Sequence, residues 1–339
     1  MKDIPMARER VLVNLPSGFF KQPELVPAFE RLESFAEVRK TSYDRPEEIR
    51  PDAIWAQSVL MWSWPMLDDA ILDAAKDLRF SGNIDIGQRG AEILLRRGIP
   101  VSVTRRGFSP AVSEMALALI LSTLRRVSDY HAAMRQGRER WVRAFPDDVD
   151  SRERELTGRA VGIVGFGAVG RRLAELLQPF RCDLRVIDPY VPESVLTALN
   201  GKRADIPTMV RDCDVVVLCA SSNAGTKHLL GAEEISALRP DAVLVNVARA
   251  ALVDTQALVR RLEKGHLCTA IDVFDQEPLP ADSPLRRQPN AFLTPHRAGG
   301  IVPSVCRIVG WLVEDLEAHL QGRPRKFALT AEMIPTLDS

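Results

Sequence analysis

The sequence has few of the residues that would indicate a disulfide framework or a metal site. Its 339 residues include five cysteines and five histidines, and no two cysteines form a C-x-x-C pair. Scattered single cysteines predict reduced thiols and a cytoplasmic protein without a bound metal. Cys219 and Cys268 lie in apolar, strand-like segments, so we expect these two thiols to be buried.

The sequence also lacks net charge and long apolar segments. Lys and Arg together number 45, as do Asp and Glu. This balance gives no reason to expect nucleic acid or a membrane surface as a partner. No apolar run approaches the roughly 20 residues of a membrane span, and the charged segment 1–10 has no apolar signal core. We therefore expect no nucleic-acid or membrane partner.

Apolar segments with β-branched residues alternate with helical patterns through residues 161–295. Nearly continuous apolar strands separated by helices predict a parallel sheet covered on both faces, which is a doubly wound α/β domain. The expected strands are 161–164, 184–188, 215–220, 242–247, 270–274 and 291–294.

The remaining parts of the chain predict a second, smaller α/β domain. Residues 110–137 form one apolar pattern that predicts a single long helix, buried between domains or between subunits. The last helix, 303–320, is expected to return to the first domain. Strands are expected at 11–14, 58–62 and 101–103, and helices at 23–33 and 68–76.

A glycine turn follows the first strand of the larger domain. It reads Gly165-Phe166-Gly167-Ala168-Val169-Gly170 and opens a helix. Glycines in this context permit a tight turn and a close approach of the backbone to a pyrophosphate. Asp188 ends the next strand, where a carboxylate would accept hydrogen bonds from an adenosine ribose and repel a 2′-phosphate. The pattern favours NAD as cofactor; the alternative is a turn that binds nothing.

Three polar residues follow later strands of the same sheet, and ligands bind at this carboxyl edge in parallel sheets. Hydride addition to a ketone requires a proton, which His296 can supply. Glu277 can orient the imidazole and favour its charged form. Arg249 can bind a substrate carboxylate by two hydrogen bonds. Taken singly, the alternatives are a loop histidine, a turn glutamate before Pro278 and a solvated arginine.

These residues resemble the D-isomer-specific 2-hydroxyacid dehydrogenases. The matching segments are GFGAVGRRLA, VIDPY, VNVARAALVD, AIDVFDQEPLP and LTPHRAGG, within residues 53–322. The resemblance implies two doubly wound domains: a Rossmann-like cofactor domain, 104–296, inserted into a flavodoxin-like substrate domain built from 1–103 and 297–339. It also implies a homodimer formed through the 110–137 region and a small 2-hydroxy or 2-keto acid as substrate.

The resemblance further implies roles for individual residues. Arg249 would bind the substrate, Glu277 and His296 would form the acid-base pair, and Asp272 would contact the nicotinamide carboxamide. The expected NAD-binding set is Gly165, Gly167, Ala168, Val169, Gly170, Asp188, Ala220, Val247, Asp272, His296 and Gly299.

The sequence departs from the family in the first domain. The family has a glycine-containing loop, whose amides help to hold the substrate carboxylate, before an Asn-Ile-Asp-like segment. Here Leu78-Arg79-Phe80-Ser81-Gly82 runs directly into Asn83-Ile84-Asp85. Either the loop is short or residues are missing near Phe80–Gly82, and we expect the second.

Three tryptophans lie in the same domain. Trp55, Trp62 and Trp64 are expected on one strand, where core packing is preferred over a role in an apolar substrate pocket.

Other functions are compatible with the same residues. A cofactor-sensing, corepressor-like binding protein would retain the dinucleotide site. Formate enzymes of this fold carry glutamine at the position of Glu277, so formate is disfavoured, whereas phosphite remains an alternative substrate.

Overall fold

The computed structural model describes residues 8–338 and divides the chain into two compact units. Unit 1 comprises Met1–Phe108 and Ile301–Ser339, and unit 2 comprises Ser109–Gly300. The expected domain borders, after residues 103 and 296, precede these unit borders by a few residues. Residues 1–7, which belong to the charged start of the sequence, lie outside the described residues.

Unit 1 contains a five-stranded parallel sheet in the order β2-β1-β3-β4-β5. This is the flavodoxin-like strand order, in which the order of successive strands reverses between β1 and β3. The strands are β1 (Glu9–Asn14), β2 (Ala36–Thr41), β3 (Ser58–Met61), β4 (Phe80–Asn83) and β5 (Val101–Val103), and the first four helices are α1 (Val26–Phe35), α2 (Pro46–Trp55), α3 (Asp69–Ala74) and α4 (Gln88–Arg96).

In the segment where the family has a glycine-containing loop, residues 80–83 form strand β4. It pairs residue by residue with β3, from Ser58 opposite Phe80 to Met61 opposite Asn83. The backbone amide of Ile84 then donates to the carbonyl of Met61. The expectation of missing residues is therefore wrong, because an uninterrupted strand leads straight into Asn83 and Ile84.

Unit 2 contains a seven-stranded parallel sheet in the order β12-β11-β10-β9-β6-β7-β8. Apolar clusters cover both faces of this sheet, as the sequence predicted for a doubly wound domain. Its strands are β6 (Ala160–Val164), β7 (Asp183–Ile187), β8 (Gly201–Arg203), β9 (Val215–Leu218), β10 (Ala242–Asn246), β11 (Leu267–Ile271) and β12 (Ala291–Leu293), and its helices are α5 (Ser109–Leu124), α6 (Val127–Arg135), α7 (Ala168–Leu177), α8 (Glu193–Ala198), α9 (Ile206–Asp212), α10 (Ala232–Ala237) and α11 (Thr255–Glu263).

The single helix expected over 110–137 is wrong, because α5 and α6 are separate. Arg126 adopts the left-handed conformation between them, with φ of 50°. Among the described residues, Arg105–Leu124 is the one helical stretch long and apolar enough to cross a membrane, against the expectation that none exists. Half of that stretch is buried, and Leu119 and Ile120 pack in a core cluster of unit 2, as in the core helix of a folded domain.

After unit 2 the chain returns to unit 1 in α12 (Val302–Leu320), as expected for the last helix. Its apolar face packs in a core cluster of unit 1 with residues of β1 and β4. Two further expectations are corrected. Trp55 ends helix α2 and is not on a strand, and Trp62 and Trp64 lie just beyond β3.

All five cysteines are free thiols. Cys213 is buried, and Cys219 and Cys268 are residues of intermediate exposure that pack against a core cluster of unit 2. Burial nevertheless raises the pKa of Cys219 to about 12 and the pKa of Cys213 to about 11. These thiols are therefore neutral at physiological pH.

Candidate active site

The glycine turn lies between β6 and α7, where packing requires two of its glycines. Gly165 has a φ of 88°, and a Cβ atom there would lie 2.5 Å from the amide nitrogen of Ala220. A Cβ atom on Gly170 would lie 2.2 Å from the carbonyl oxygen of Gly165. Gly167 is different, because a Cβ there would meet no atom within 4 Å. Tight packing on one side and open space on the other suit a backbone that approaches a ligand closely.

The turn occupies the point where the strand order of unit 2 reverses. Strand β6 pairs with β7 on one side and with β9 on the other. Ala220, which follows β9, therefore lies directly against Gly165. Ala168 and Val169 form the first turn of α7, whose free amides and dipole favour an anion. A pyrophosphate group fits this arrangement.

Asp188 is held beside the glycine turn. Its Oδ2 accepts a hydrogen bond of 2.7 Å from the amide of Phe166, and its Oδ1 accepts one of 2.9 Å from the amide of Tyr190. These two bonds fix the carboxylate at the end of β7 while each oxygen keeps a further lone pair for a hydroxyl group. The placement agrees with the position that the sequence predicts for a ribose-binding acid.

Arg249 lies in a turn after β10 that Asn246 organises. The Asn246 side chain donates to the carbonyl of Arg249 at 2.9 Å and accepts from the amide of Ala248 at 3.1 Å. The Arg249 guanidinium donates to the carbonyl of Ala248 at 2.8 Å. A buried amide side chain thus sets the backbone from which the arginine projects.

His296 and Glu277 form a hydrogen-bonded pair. Nδ1 of His296 lies 2.6 Å from Oε2 of Glu277, and Oε1 of Glu277 accepts from the amide of Phe274 at 2.9 Å. An ionised carboxylate only accepts hydrogen bonds, so Nδ1 carries the proton in this contact. Nε2 takes no part in this contact. The imidazole side chain is half-exposed, so it can be reached from solvent.

The pKa of Glu277 reports the charges around it. Burial raises this pKa, but the hydrogen bonds from His296 and from the Phe274 amide, with the positive charges of His296 and Arg249, bring it below its usual value of 4.5. Glu277 is therefore an anion at neutral pH. Of these causes, the positive charge of Arg249 has the smallest effect on the pKa of Glu277.

Asp272 holds the loop that carries His296. It is fully buried and lies one residue beyond the end of β11, whereas the sequence predicted a strand over 270–274 that contained it. Its Oδ1 accepts from the Thr294 hydroxyl at 2.6 Å and from the Arg297 amide at 2.8 Å, and its Oδ2 accepts from the Ala298 amide at 2.8 Å. The residues on both sides of His296 are thereby fixed. Sequence reasoning missed this role, although an acid directly after a buried strand was a signal for it.

Two further residues that the sequence predicted to bind NAD follow strands of unit 2. Val247 is buried directly after β10, and Gly299 is partly buried in the loop after His296. Within residues 8–338, no three His, Cys, Asp or Glu side chains are grouped so that they could hold a metal ion.

Comparison with known proteins identifies the larger domain. The model of the family described as "D-isomer specific 2-hydroxyacid dehydrogenase, NAD binding domain" matches residues 117–298. A glyoxylate/hydroxypyruvate reductase B of Escherichia fergusonii is 29% identical over 90% of this chain and 94% of its own length. A glyoxylate reductase of Thermofilum pendens is 31% identical over 79% of each chain.

Solved structures are similar over nearly the whole chain. A protein from Pyrococcus horikoshii has a TM-score of 0.82 with 26% identity, over 97% of both chains. An NADPH-dependent glyoxylate/hydroxypyruvate reductase from Sinorhizobium meliloti, in complex with NADP and malonate, has a TM-score of 0.77 with 27% identity over 98% of this chain and 99% of that one.

Proposed function

The chain belongs to the D-isomer specific 2-hydroxyacid dehydrogenase family, and from that membership we propose that it interconverts a D-2-hydroxy acid and its 2-keto acid by the action of Arg249, Glu277 and His296. The family makes it an NAD-dependent oxidoreductase that acts on CH-OH groups. The observation that carries the proposed mechanism is the 2.6 Å contact between His296 Nδ1 and Glu277 Oε2.

His296 is the general acid and base in this proposal. With Nδ1 engaged by Glu277, Nε2 of the charged imidazole donates its proton to the carbonyl oxygen during reduction, and the neutral ring accepts it back during oxidation. Glu277 stabilises the charged ring and keeps its orientation. Asp272 acts through this arrangement as a positioning residue, because it fixes the backbone around His296.

Arg249 binds the substrate carboxylate. A guanidinium offers two parallel donors that match a carboxylate, which places the adjacent carbonyl carbon in a defined position. The same positive charge makes the smallest contribution to the lowered pKa of Glu277, after the hydrogen bonds from His296 and from the Phe274 amide.

The cofactor supplies or accepts the hydride when it is bound. Gly165, Gly167 and the amides of Ala168 and Val169 would hold its pyrophosphate, and Asp188 would hold the adenosine ribose. Because Asp188 is a carboxylate, it repels the 2′-phosphate of NADP and favours NAD.

We propose that the enzyme is a cytoplasmic homodimer. Helix α6, in the 110–137 region, exposes Val127, Tyr130 and Met134, whose spacing of three and four residues puts them on one side of the helix, and exposed apolar side chains of this kind suit a protein contact. The five free thiols fit a reducing compartment. Sedimentation equilibrium tests the dimer, and a monomer at micromolar concentration would contradict it.

The proposed reaction is tested by NADH oxidation with a panel of 2-keto acids that differ in side chain. We expect turnover of at least one member with NADH, and slower turnover with NADPH. Oxidation of phosphite by NAD, measured in parallel, tests whether phosphite, the remaining alternative, is the substrate instead of a 2-keto acid. Absence of turnover with every keto acid would refute the proposed function.

A further inference from the structure

Unit 2 contains a cavity of about 290 Å³ beside the segment that carries Glu277. We name it the loop cavity, because residues of the 273–285 segment line it together with residues of β10, β11 and the start of α11. Within residues 8–338, its lining includes none of the residues that the sequence predicted to bind NAD or substrate. The loop cavity is therefore distinct from the glycine turn and from the acid-base pair.

The interior of the loop cavity suits an apolar molecule better than water. Leu244, Leu258 and Leu285 are buried residues that line it. The hydroxyl of Thr269, which also lines it, already donates to the carbonyl of Leu244 at 2.9 Å. A water molecule in a cavity needs two to four polar partners. Replacing water by an apolar group against this lining is therefore favourable.

Charge and polar groups of the lining restrict the ligand further. Asp275 and Asp282 are exposed lining residues, and the described lining contains no Lys or Arg, so an anion is repelled. Phe274 is partly exposed and offers a ring for contact with another aromatic ring. The hydroxyls of Thr255 and Ser283 can accept a hydrogen bond from a ring N–H group. The chemistry that fits is an uncharged aromatic molecule.

The loop cavity adjoins both turns that carry proposed catalytic residues. Phe274 lines it, and the amide of Phe274 donates to Oε1 of Glu277 at 2.9 Å. Asn246 and Ala250 line it on either side of Arg249 in the chain, and the Asn246 side chain donates to the carbonyl of Arg249 at 2.9 Å. A molecule in the cavity therefore contacts the residues that hold Glu277 and Arg249 in place.

We propose that the loop cavity is a second ligand site, which binds a small uncharged aromatic molecule and thereby stabilises the turns that carry Glu277 and Arg249. Its volume is close to the small end of ligand pockets, roughly 300 Å³, and suits one ring or two fused rings. NADH and keto acids are anions and do not suit this lining. The inference goes beyond the proposed function and does not depend on it, because binding is measured without turnover.

Titration calorimetry of the full chain with indole tests binding. We expect a Kd of about 0.1–1 mM, as for a small ligand that fills an apolar cavity. Indole-2-carboxylate, which adds a negative charge to the same rings, should bind about fivefold more weakly or worse. The Kd for NADH should stay within about twofold when indole is present, because the two ligands occupy different sites.

A variant that fills the cavity locates the site. Thr255 is the first residue of α11, and in Thr255→Phe the new ring occupies space that indole needs, so the Kd for indole should rise by about 10-fold or more. Gln256→Phe is the matched control, because Gln256 is the next residue, is exposed and does not line the cavity. Its Kd for indole should equal that of the wild type. Ser283→Phe fills the cavity from the opposite segment and replaces Thr255→Phe if that variant does not fold.

Hydrogen exchange of the wild-type chain tests the effect on the turns. With indole at ten times its Kd, exchange through local opening should slow by about 10-fold in segments 246–250 and 273–277. Exchange in the glycine turn, 165–170, should not change.

Each outcome bears on a separate part of the inference. No binding of indole by the wild type would overturn it, as would displacement of indole by NADH. Equal weakening in Thr255→Phe and Gln256→Phe would place indole elsewhere and also overturn it. Binding without slower exchange in either segment would contradict the stabilisation of the two turns. None of these outcomes affects the proposed reaction, which the keto-acid panel tests.

Discussion

Glu277 and His296 share a 2.6 Å hydrogen bond between Oε2 and Nδ1, and Glu277 is simultaneously held by the amide of Phe274. The pKa of Glu277 lies below 4.5 in the folded chain. The ionised carboxylate of Glu277 therefore makes its full contribution to the free energy of unfolding at pH values above its ordinary pKa. This contribution is lost as the pH falls through the lowered pKa. Glu277 is therefore an anion through the whole neutral range.

Replacing the carboxylate by an amide removes this charge at every pH. For Glu277→Gln we expect kcat/KM for keto-acid reduction to fall by roughly 100-fold. The wild-type rate should fall on the acidic side as the pH drops through the lowered pKa of Glu277, and this acidic fall should be absent in Glu277→Gln. Asp275→Asn, an exposed carboxylate of the same loop, is the control for pH–rate profiles. A profile identical to the wild type would argue against the pairing.

Asp272 should be needed for the geometry of the His296 loop. In Asp272→Asn one oxygen becomes a donor facing backbone amides, so we expect a loss of about 1–3 kcal/mol of unfolding free energy and a lower kcat. Thr294→Val, which removes one of the three hydrogen bonds, should show a smaller loss. Urea unfolding and kcat are the measurements. An Asp272→Asn protein as stable and active as the wild type would exclude the positioning role.

Arg249 should act through paired hydrogen bonds as well as charge. In Arg249→Lys the charge is kept and the planar pair of donors is lost, so KM for the keto acid should rise by about 10-fold. Arg260→Lys on α11, which is exposed, is the matched control. Titration of the variant with NADH should give the wild-type Kd. An unchanged KM would mean that Arg249 does not bind the substrate.

Two glycines of the same turn should respond differently to a methyl group. In Gly170→Ala the new Cβ meets the carbonyl oxygen of Gly165, so we expect a loss of about 1–3 kcal/mol of unfolding free energy. In Gly167→Ala the methyl enters open space, so stability should change by about 0.5 kcal/mol or less while NADH binds more weakly. Urea unfolding and NADH fluorescence distinguish the two. Equal destabilisation of both variants would contradict this packing.

The sequence predicted an element correctly where the apolar residues of that element alone determine its structure. Strand β9, predicted as 215–220, and β10, predicted as 242–247, form where expected because buried parallel strands are continuously apolar. The glycine turn and Asp188 were recognisable because a dinucleotide site constrains both spacing and residue type.

Other features depend on tertiary contacts that the sequence does not display. The break between α5 and α6 occurs at Arg126, without a glycine or proline to mark it. Trp55 is the last residue of helix α2, which begins at Pro46, and two residues separate it from strand β3. The role of Asp272 arises from hydrogen bonds to residues that are far along the chain.

The most direct measurement of the proposed chemistry compares His296→Ala with the wild type in keto-acid reduction and in NADH binding. The variant should lose about 100- to 10,000-fold in kcat, because no other group is placed to donate the proton in the proposed mechanism, while its Kd for NADH stays within about twofold. His266→Ala, an exposed histidine of the same unit that contacts Asp241, is the control. Full activity in His296→Ala would contradict the acid-base assignment.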